Sequence, residues 1–299
     1  MVEYLVRLLK DTYKVATLSR GYKRKSEGFA IADVNTTALD IGDEPMQIHI
    51  KFPDISVAVA EERLVGVPQL LHSRPDTEVI ILDDAFQHRQ IKAGLNILLT
   101  EYKNLFTRDF ILPAGDLRDV KSSSKRADII IVTKCKSHLD EEDREKIINE
   151  INPLSHQQIF FTKIEYGSPY HLVTKEEKFL NPETHILLIC GIANPKPLQE
   201  VLNTYSSMYE MMLFKDHHVF DIDDLKEIKR QFENIEGEDK LILTTEKDGV
   251  RLAKFETELK DLPIYVFPIR HKIMFREERK FENAIQAFIG SYVNKKVES

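Results

Sequence analysis

The chain has 299 residues, 42% of them hydrophobic, and a formal net charge of -7. That length and apolar content can bury a substantial core and exclude a disordered chain. The acidic balance removes any general electrostatic ground for nucleic-acid binding, and no apolar run reaches the roughly 20 residues a transmembrane helix needs. The N-terminus also lacks the apolar stretch of a signal peptide, so the expected location is cytoplasmic.

Taken in chain order, short apolar runs at 14–18, 55–60, 79–82, 95–100 and 128–133 read as strands, with helices expected at 61–72 and 139–151. Strands and helices alternating at this spacing indicate βαβ units and a mostly parallel sheet. From 159 to 173 the pattern turns to alternating β-prone residues broken by Gly167-Ser168-Pro169, which reads as a hairpin or extended linker. Further strands are expected at 186–190, 209–213, 241–245 and 264–268, with helices at 197–205, 223–233 and 277–289. The expected organisation is therefore a core lobe over 1–158, a linker over 159–180 and a smaller α/β lobe over 181–299, with a cleft between the lobes. Cys135 and Cys190 each close an apolar strand without metal-ligand spacing and read as reduced core thiols.

The run Glu78-Val-Ile-Ile-Leu-Asp-Asp-Ala-Phe-Gln-His-Arg89 carries the most chemistry. A buried strand that ends in two adjacent carboxylates, Asp83 and Asp84, is suited to holding Mg²⁺ beside a nucleotide. An Asp-Asp pair can also simply cap a helix, but Gln87, His88 and Arg89 add further hydrogen-bonding groups at the same strand end. Leu18-Ser19-Arg20-Gly21-Tyr22 follows the first strand and could contact substrate or phosphate. Arg118, after the Pro113 to Gly115 turn, has the planar fork that grips phosphate bidentately. Gly42-Asp43-Glu44-Pro45 reads as a turn that supplies a carboxylate from a different loop, with Asp43 as candidate base. Asp216-His217-His218 in the second lobe is read as supplying a histidine that reaches across the cleft to orient Asp43, with zinc the weaker reading. Lobe closure is expected to bring these groups together.

These segments together resemble the tetraacyldisaccharide 4′-kinases, P-loop kinases of the lipid A pathway in Gram-negative bacteria. The resemblance rests on Leu18-Ser-Arg-Gly-Tyr22, Gly42-Asp-Glu-Pro45, Asp83-Asp-Ala-Phe-Gln-His88, Leu112-Pro-Ala-Gly-Asp-Leu-Arg118, Cys190-Gly-Ile-Ala-Asn-Pro195, Phe214-Lys-Asp-His-His218 and Thr245-Glu-Lys-Asp248. They appear in family order and span nearly the whole chain. The resemblance implies a P-loop NTPase-like α/β fold and transfer of the ATP γ-phosphate to the 4′-hydroxyl of an acylated disaccharide 1-phosphate on the cytoplasmic face of the inner membrane. It implies Asp43 as base, paired with His217 or His218, Asp83 and Asp84 at the Mg²⁺ site, Gln87, His88 and Arg118 on the nucleotide, and Ser19, Arg20 and Glu44 on the substrate.

The sequence departs from the family at Ala85, where glycine is usual, and at Asp119, where glutamate is common. The larger departure is that no Gly-x-x-x-x-Gly-Lys-Ser/Thr loop occurs, since none of the eleven glycines precedes a lysine. The expectation is that the family's N-terminal hydrophobic segment and phosphate loop are missing and that nucleotide binding is weak. Two alternatives stay open at this stage. One is another P-loop NTPase, such as a metallochaperone GTPase, although Thr133-Lys134-Cys135-Lys136 lacks the Asn-Lys-x-Asp guanine signal. The other is a catalytically silent relic that binds acylated disaccharide or an anionic membrane surface.

Overall fold

The computed structural model describes every residue except Ala193, Ser207, Glu298 and Ser299, with backbone alone for 293–297. Its elements run α1 (Val2–Leu9), β1 (Val15–Ser19), β2 (Ala30–Ile31), α2 (Ala38–Ile41), α3 (Asp43–Lys51), β3 (Ser56–Val59), α4 (Arg63–Ser73) and β4 (Val79–Leu82). They continue with β5 (Ile97–Glu101), β6 (Ile129–Thr133), α5 (Glu141–Ile151), β7 (Gln158–Tyr166), β8 (Tyr170–His171), β9 (His185–Cys190), α6 (Lys196–Tyr205) and β10 (Tyr209–Leu213). The last are α7 (Ile222–Asn234), β11 (Lys240–Thr245), α8 (Glu246–Leu252), α9 (Glu256–Leu259), β12 (Ile264–Phe267), β13 (Ile269–Ile273) and α10 (Glu278–Val297).

The chain divides into two compact units, and neither is a contiguous segment. One comprises Met1–Arg20, Glu62–Glu165 and Arg270–Ser299, the other Gly21–Glu61 and Tyr166–Ile269. This differs from the expected lobes over 1–158 and 181–299. Residues 21–61 cluster with the C-terminal segment, and α10 with the N-terminal one, because short apolar elements pack where their faces are covered rather than by chain order.

In the first unit β1 pairs in parallel with β4, and β5, β6 and β7 form a parallel run that β13 extends in the order β13-β7-β6-β5. All five residues of β6, Ile-Ile-Ile-Val-Thr, are buried, as a parallel strand covered on both faces requires. Ile130 and Val132 on one of its faces pack with Ile147 and Ile151 of α5. That helix starts at Asp140, whose carboxylate accepts the Asp143 N–H, and stops at Asn152 in the left-handed conformation. The strand expected to open a hairpin over 159–180 is instead β7, paired in parallel with β6. Its supposed partner β8 pairs antiparallel with β12 in the second unit.

The second unit is built on a five-stranded sheet, β10-β9-β11-β12-β8, parallel except for β8. Alternate residues of β9 serve opposite faces. Ile186, Leu188 and Cys190 pack with Leu198 and Leu202 of α6, while Leu187 and Ile189 pack with Leu225, Ile228 and Phe232 of α7. The α7 start is secured by Asp221 and Asp224 in a reciprocal capping box. Beside this sheet α3 packs with α8, and β2 pairs antiparallel with β3. No helix among the described residues is long and apolar enough to cross a membrane.

Candidate active site

In the first unit the register of β1 and β4 sets Leu18 beside Leu82, so the residues that leave both strands at their carboxyl ends are neighbours. The Asp83 N–H donates to the Leu18 carbonyl at 3.0 Å, which fixes the backbone at the strand exit. Asp84 then takes a left-handed φ of 46°, a conformation that aspartate tolerates better than most side chains. Arg118 grips the Asp84 carboxylate with both terminal nitrogens, Nη1 to Oδ2 at 3.1 Å and Nη2 to Oδ1 at 2.6 Å, and this hydrogen bonding raises the Arg118 pKa. Beneath the loop, Arg63 is fully buried and donates from Nη2 to the Asp83 carbonyl at 2.8 Å. Burial and the nearby Arg20 charge lower its pKa, which Asp83 and Asp84 oppose.

Gln87 and His88 line the same cavity as Asp83, Asp84 and Arg118, a space of about 1090 Å³ flanked by the edge strands β4 and β5. The neighbouring Asp119 is held down to about 2 by the Ser123 hydroxyl, the Val120 N–H and Arg89, so it braces the loop as a permanent anion. At the end of β1, the buried Ser19 hydroxyl has no hydrogen-bond partner among the described residues, whereas Arg20 is exposed. The donors present fit Mg²⁺, which takes one or two carboxylate oxygens from protein and completes its shell with water and phosphate. No group of three or more His, Cys, Asp or Glu side chains able to cage a metal occurs among the described residues.

The second constellation lies wholly in the second unit. Asp43 is the first residue of α3, and Gly42 before it has φ 92° and ψ 159°, which no L-residue adopts without strain. A Cβ there would also stand 3.0 Å from the Tyr22 carbonyl oxygen. What reads as a turn in the sequence is thus a glycine-dependent helix start. The Asp43 Oδ2 accepts from Arg251 Nε at 2.9 Å and Arg251 Nη2 at 2.6 Å, and lies 3.3 Å from His217 Nδ1. Burial pushes the Asp43 pKa up, but Arg251 and His217 outweigh it and the net shift is downward.

Of the two histidines, His217 is the one beside Asp43. His218 is bonded to Asp224 at 2.7 Å and stacks on Phe214, so it serves the loop instead. The expectation that a histidine reaches Asp43 across a cleft is corrected, since both residues belong to one compact unit. Glu44 is exposed on the same turn as Asp43.

Sequence reasoning missed Arg251, and it named the anchor Asp248 only as part of the Thr245 to Asp248 motif, without a role. The fully buried Asp248 accepts from Arg251 Nη1 at 2.9 Å, from the Gly191 N–H at 3.0 Å and from the Thr245 hydroxyl at 2.7 Å. Asp248 and Arg251 are three apart on α8, a spacing that signals a helix-surface pair and gives no hint of burial. The Cys190 to Pro195 motif supplies Gly191 to this network, while its Ala193 lies outside the described residues.

The family model described as tetraacyldisaccharide-1-P 4′-kinase matches residues 1–290. The tetraacyldisaccharide 4′-kinase of Flavobacterium johnsoniae is 46% identical over 279 residues, covering 92% of this chain and 79% of that one. That of Bacteroides thetaiotaomicron is 42% identical over 302 residues, covering 96% and 79%. Among solved structures, the "apo" form of LpxK from Aquifex aeolicus in complex with ATP superposes with a TM-score of 0.73 at 29% identity, covering 96% of this chain and 82% of that one.

Proposed function

Since the chain belongs to the tetraacyldisaccharide 4′-kinase family, we propose that it phosphorylates the 4′-hydroxyl of tetraacyldisaccharide 1-phosphate with ATP, giving lipid IVA. The observation that carries the phosphoryl-transfer reading is the Asp83-Asp84 pair at the exit of a parallel strand, with Arg118 closed on Asp84. The 4′-hydroxyl oxygen attacks the γ-phosphorus, the bond to the β-phosphate oxygen breaks, and ADP departs. The hydroxyl proton passes to the Asp43 carboxylate. Such a transition state is loose, so the protein's task is positioning and charge stabilisation.

In this reading Asp83 and Asp84 would hold Mg²⁺, which would supply positive charge against that of the phosphates. Arg118 stabilises the transferred group, Gln87 and His88 contact the nucleotide, and Ser19, Arg20 and Glu44 contact the disaccharide. The buried Ser19 hydroxyl without a protein partner supports a ligand contact there. The four acyl chains of the substrate support action at a membrane surface, and the use of ATP supports the cytoplasmic face of the inner membrane.

The test is transfer from ATP labelled at the γ-phosphate to the disaccharide by the wild-type and Asp43→Ala chains. Loss of a base costs about 10²- to 10⁴-fold in turnover. Unchanged turnover removes Asp43 from that role.

A further inference from the structure

The Lys247 ammonium lies 3.3 Å from His217 Nε2, and Asp216 Oδ2 lies 3.8 Å from the same nitrogen. On the other side of the ring, Nδ1 faces Asp43 Oδ2 at 3.3 Å and Arg251 Nη2 at 3.1 Å. An ammonium carries only donors, so its hydrogen bond to Nε2 requires a lone pair on that atom. A neutral imidazole with a bare Nε2 bears its proton on Nδ1, the nitrogen that faces the carboxylate. Arg251 is likewise donor-only, but its Nη2 directs an N–H at Oδ2 at 2.6 Å, and Oδ2 and Nδ1 lie only 3.3 Å apart, too close together for the two diverging N–H groups of Nη2 to point at both. Nη2–H and Nδ1–H therefore converge on one oxygen.

We propose that Lys247 is a positioning residue that locks His217 in the neutral Nδ1–H tautomer and thereby aims Asp43. Its consequence concerns which oxygen reacts. Oδ2 then accepts three N–H donors, from Arg251 Nε, Arg251 Nη2 and His217 Nδ1, and its acceptor capacity is used. Oδ1 is left as the oxygen that takes the substrate proton. This last step rests on Asp43 being the base, while the tautomer itself does not.

Lys247 is the second residue of α8 and is half-buried, close to the Thr245 N-cap that accepts the Asp248 N–H. Its side chain can therefore be replaced without removing the cap. The test is a long-range ¹H–¹⁵N correlation on the chain with ¹⁵N-labelled histidine at about pH 8, where an ordinary histidine is neutral. The signal is assigned by its loss in His217→Gln. The wild type is expected to show a protonated Nδ1 and a bare Nε2. Lys247→Met should give an Nε2–H population, and Lys247→Arg, which keeps a donor, should restore the original pattern.

An Nε2–H or doubly protonated ring in the wild type overturns the proposal, as does an unchanged ring in Lys247→Met. In the transfer assay, Lys247→Met should lower kcat on the order of ten- to a hundredfold with KM retained, the mark of lost orientation. If Asp43→Ala leaves turnover intact, the base reading fails alone and the tautomer result still stands or falls by the spectrum.

Discussion

Replacing Arg251 by methionine tests whether α8 holds Asp43 by charge. The Arg251 side chain is 6% exposed, Asp248 is 0% exposed and Asp43 is 20% exposed. Methionine fills much of the space but leaves two carboxylates facing a neutral side chain. Removing one partner of a buried pair costs about 3–5 kcal/mol. Asp248 keeps the Gly191 N–H and the Thr245 hydroxyl, and Asp43 is partly solvated, so the low end applies, about 3 kcal/mol. For a unit of this size that is a loss of roughly 6–12 °C in Tm.

The pH dependence gives a second check with a fixed sign. Asp43 has a folded pKa below its ordinary value, so its contribution is present above the unfolded value of about 4 and is lost as pH falls through the folded one. The gap between wild type and Arg251→Met should therefore be full at neutral pH and shrink on acidification below about pH 4. Urea unfolding of both proteins across this range measures it. Equal midpoints at neutral pH, or a gap that widens in acid, would refute the charge argument. Arg251→Lys should recover only part of the loss, since one ammonium cannot reach both carboxylates as the guanidinium fork does.

Three further outcomes are expected. Asp84→Asn should abolish the Mg²⁺-dependent increment of ATP binding in calorimetry while freeing Arg118 to meet phosphate; survival of that increment removes Asp84 as a ligand. Burial pushes the Cys135 thiol up to about 12 and the Cys190 thiol up to about 11, so neither should react with a thiol reagent at about pH 8 until urea unfolds the chain. Rapid labelling of the native protein counts against the packed core drawn around them. Finally, with no glycine followed by lysine, the 299-residue chain should bind ATP only in about the millimolar range, and micromolar binding of a fluorescent analogue would show that other donors build the phosphate cradle.

The parallel strands were legible because burial on both faces leaves an uninterrupted apolar run. Ile129 to Thr133 and Ile186 to Cys190 stand out without any structure. Partners in space were far less legible. Residues 159–166 alternate like half of a hairpin, yet pair in parallel with β6, because alternation reports one covered face and says nothing of which strand lies alongside. Gly42 signalled a turn, but only its φ of 92° shows that it launches a helix with Asp43 at the first position. Asp83 and Asp84 could be nominated because carboxylates at a strand end are conspicuous, Asp43 because a glycine–proline turn carried it, and His217 only as one of a pair with His218. Arg251 could not, nor could its pairing with Asp248, since a buried pair three apart on a helix has the same sequence signature as an exposed one.

With Asp43 in its proposed role as base, its environment bears on what kind of base phosphoryl transfer needs. A strong base would be favoured by a raised pKa, which desolvation alone would give, yet Arg251 and His217 reverse that effect. The reversal makes chemical sense if little proton transfer has occurred when the phosphorus–oxygen bond breaks. In a loose transition state the attacking hydroxyl gains acidity only as bonding to phosphorus proceeds. A carboxylate that is always ionised and held in one orientation then serves better than a more basic one that is partly protonated or free to rotate. Asp248, buried at the far end of the chain Asp248–Arg251–Asp43, supplies that orientation from the helix framework, and the cost in basicity is the natural price of fixing a carboxylate with a cation.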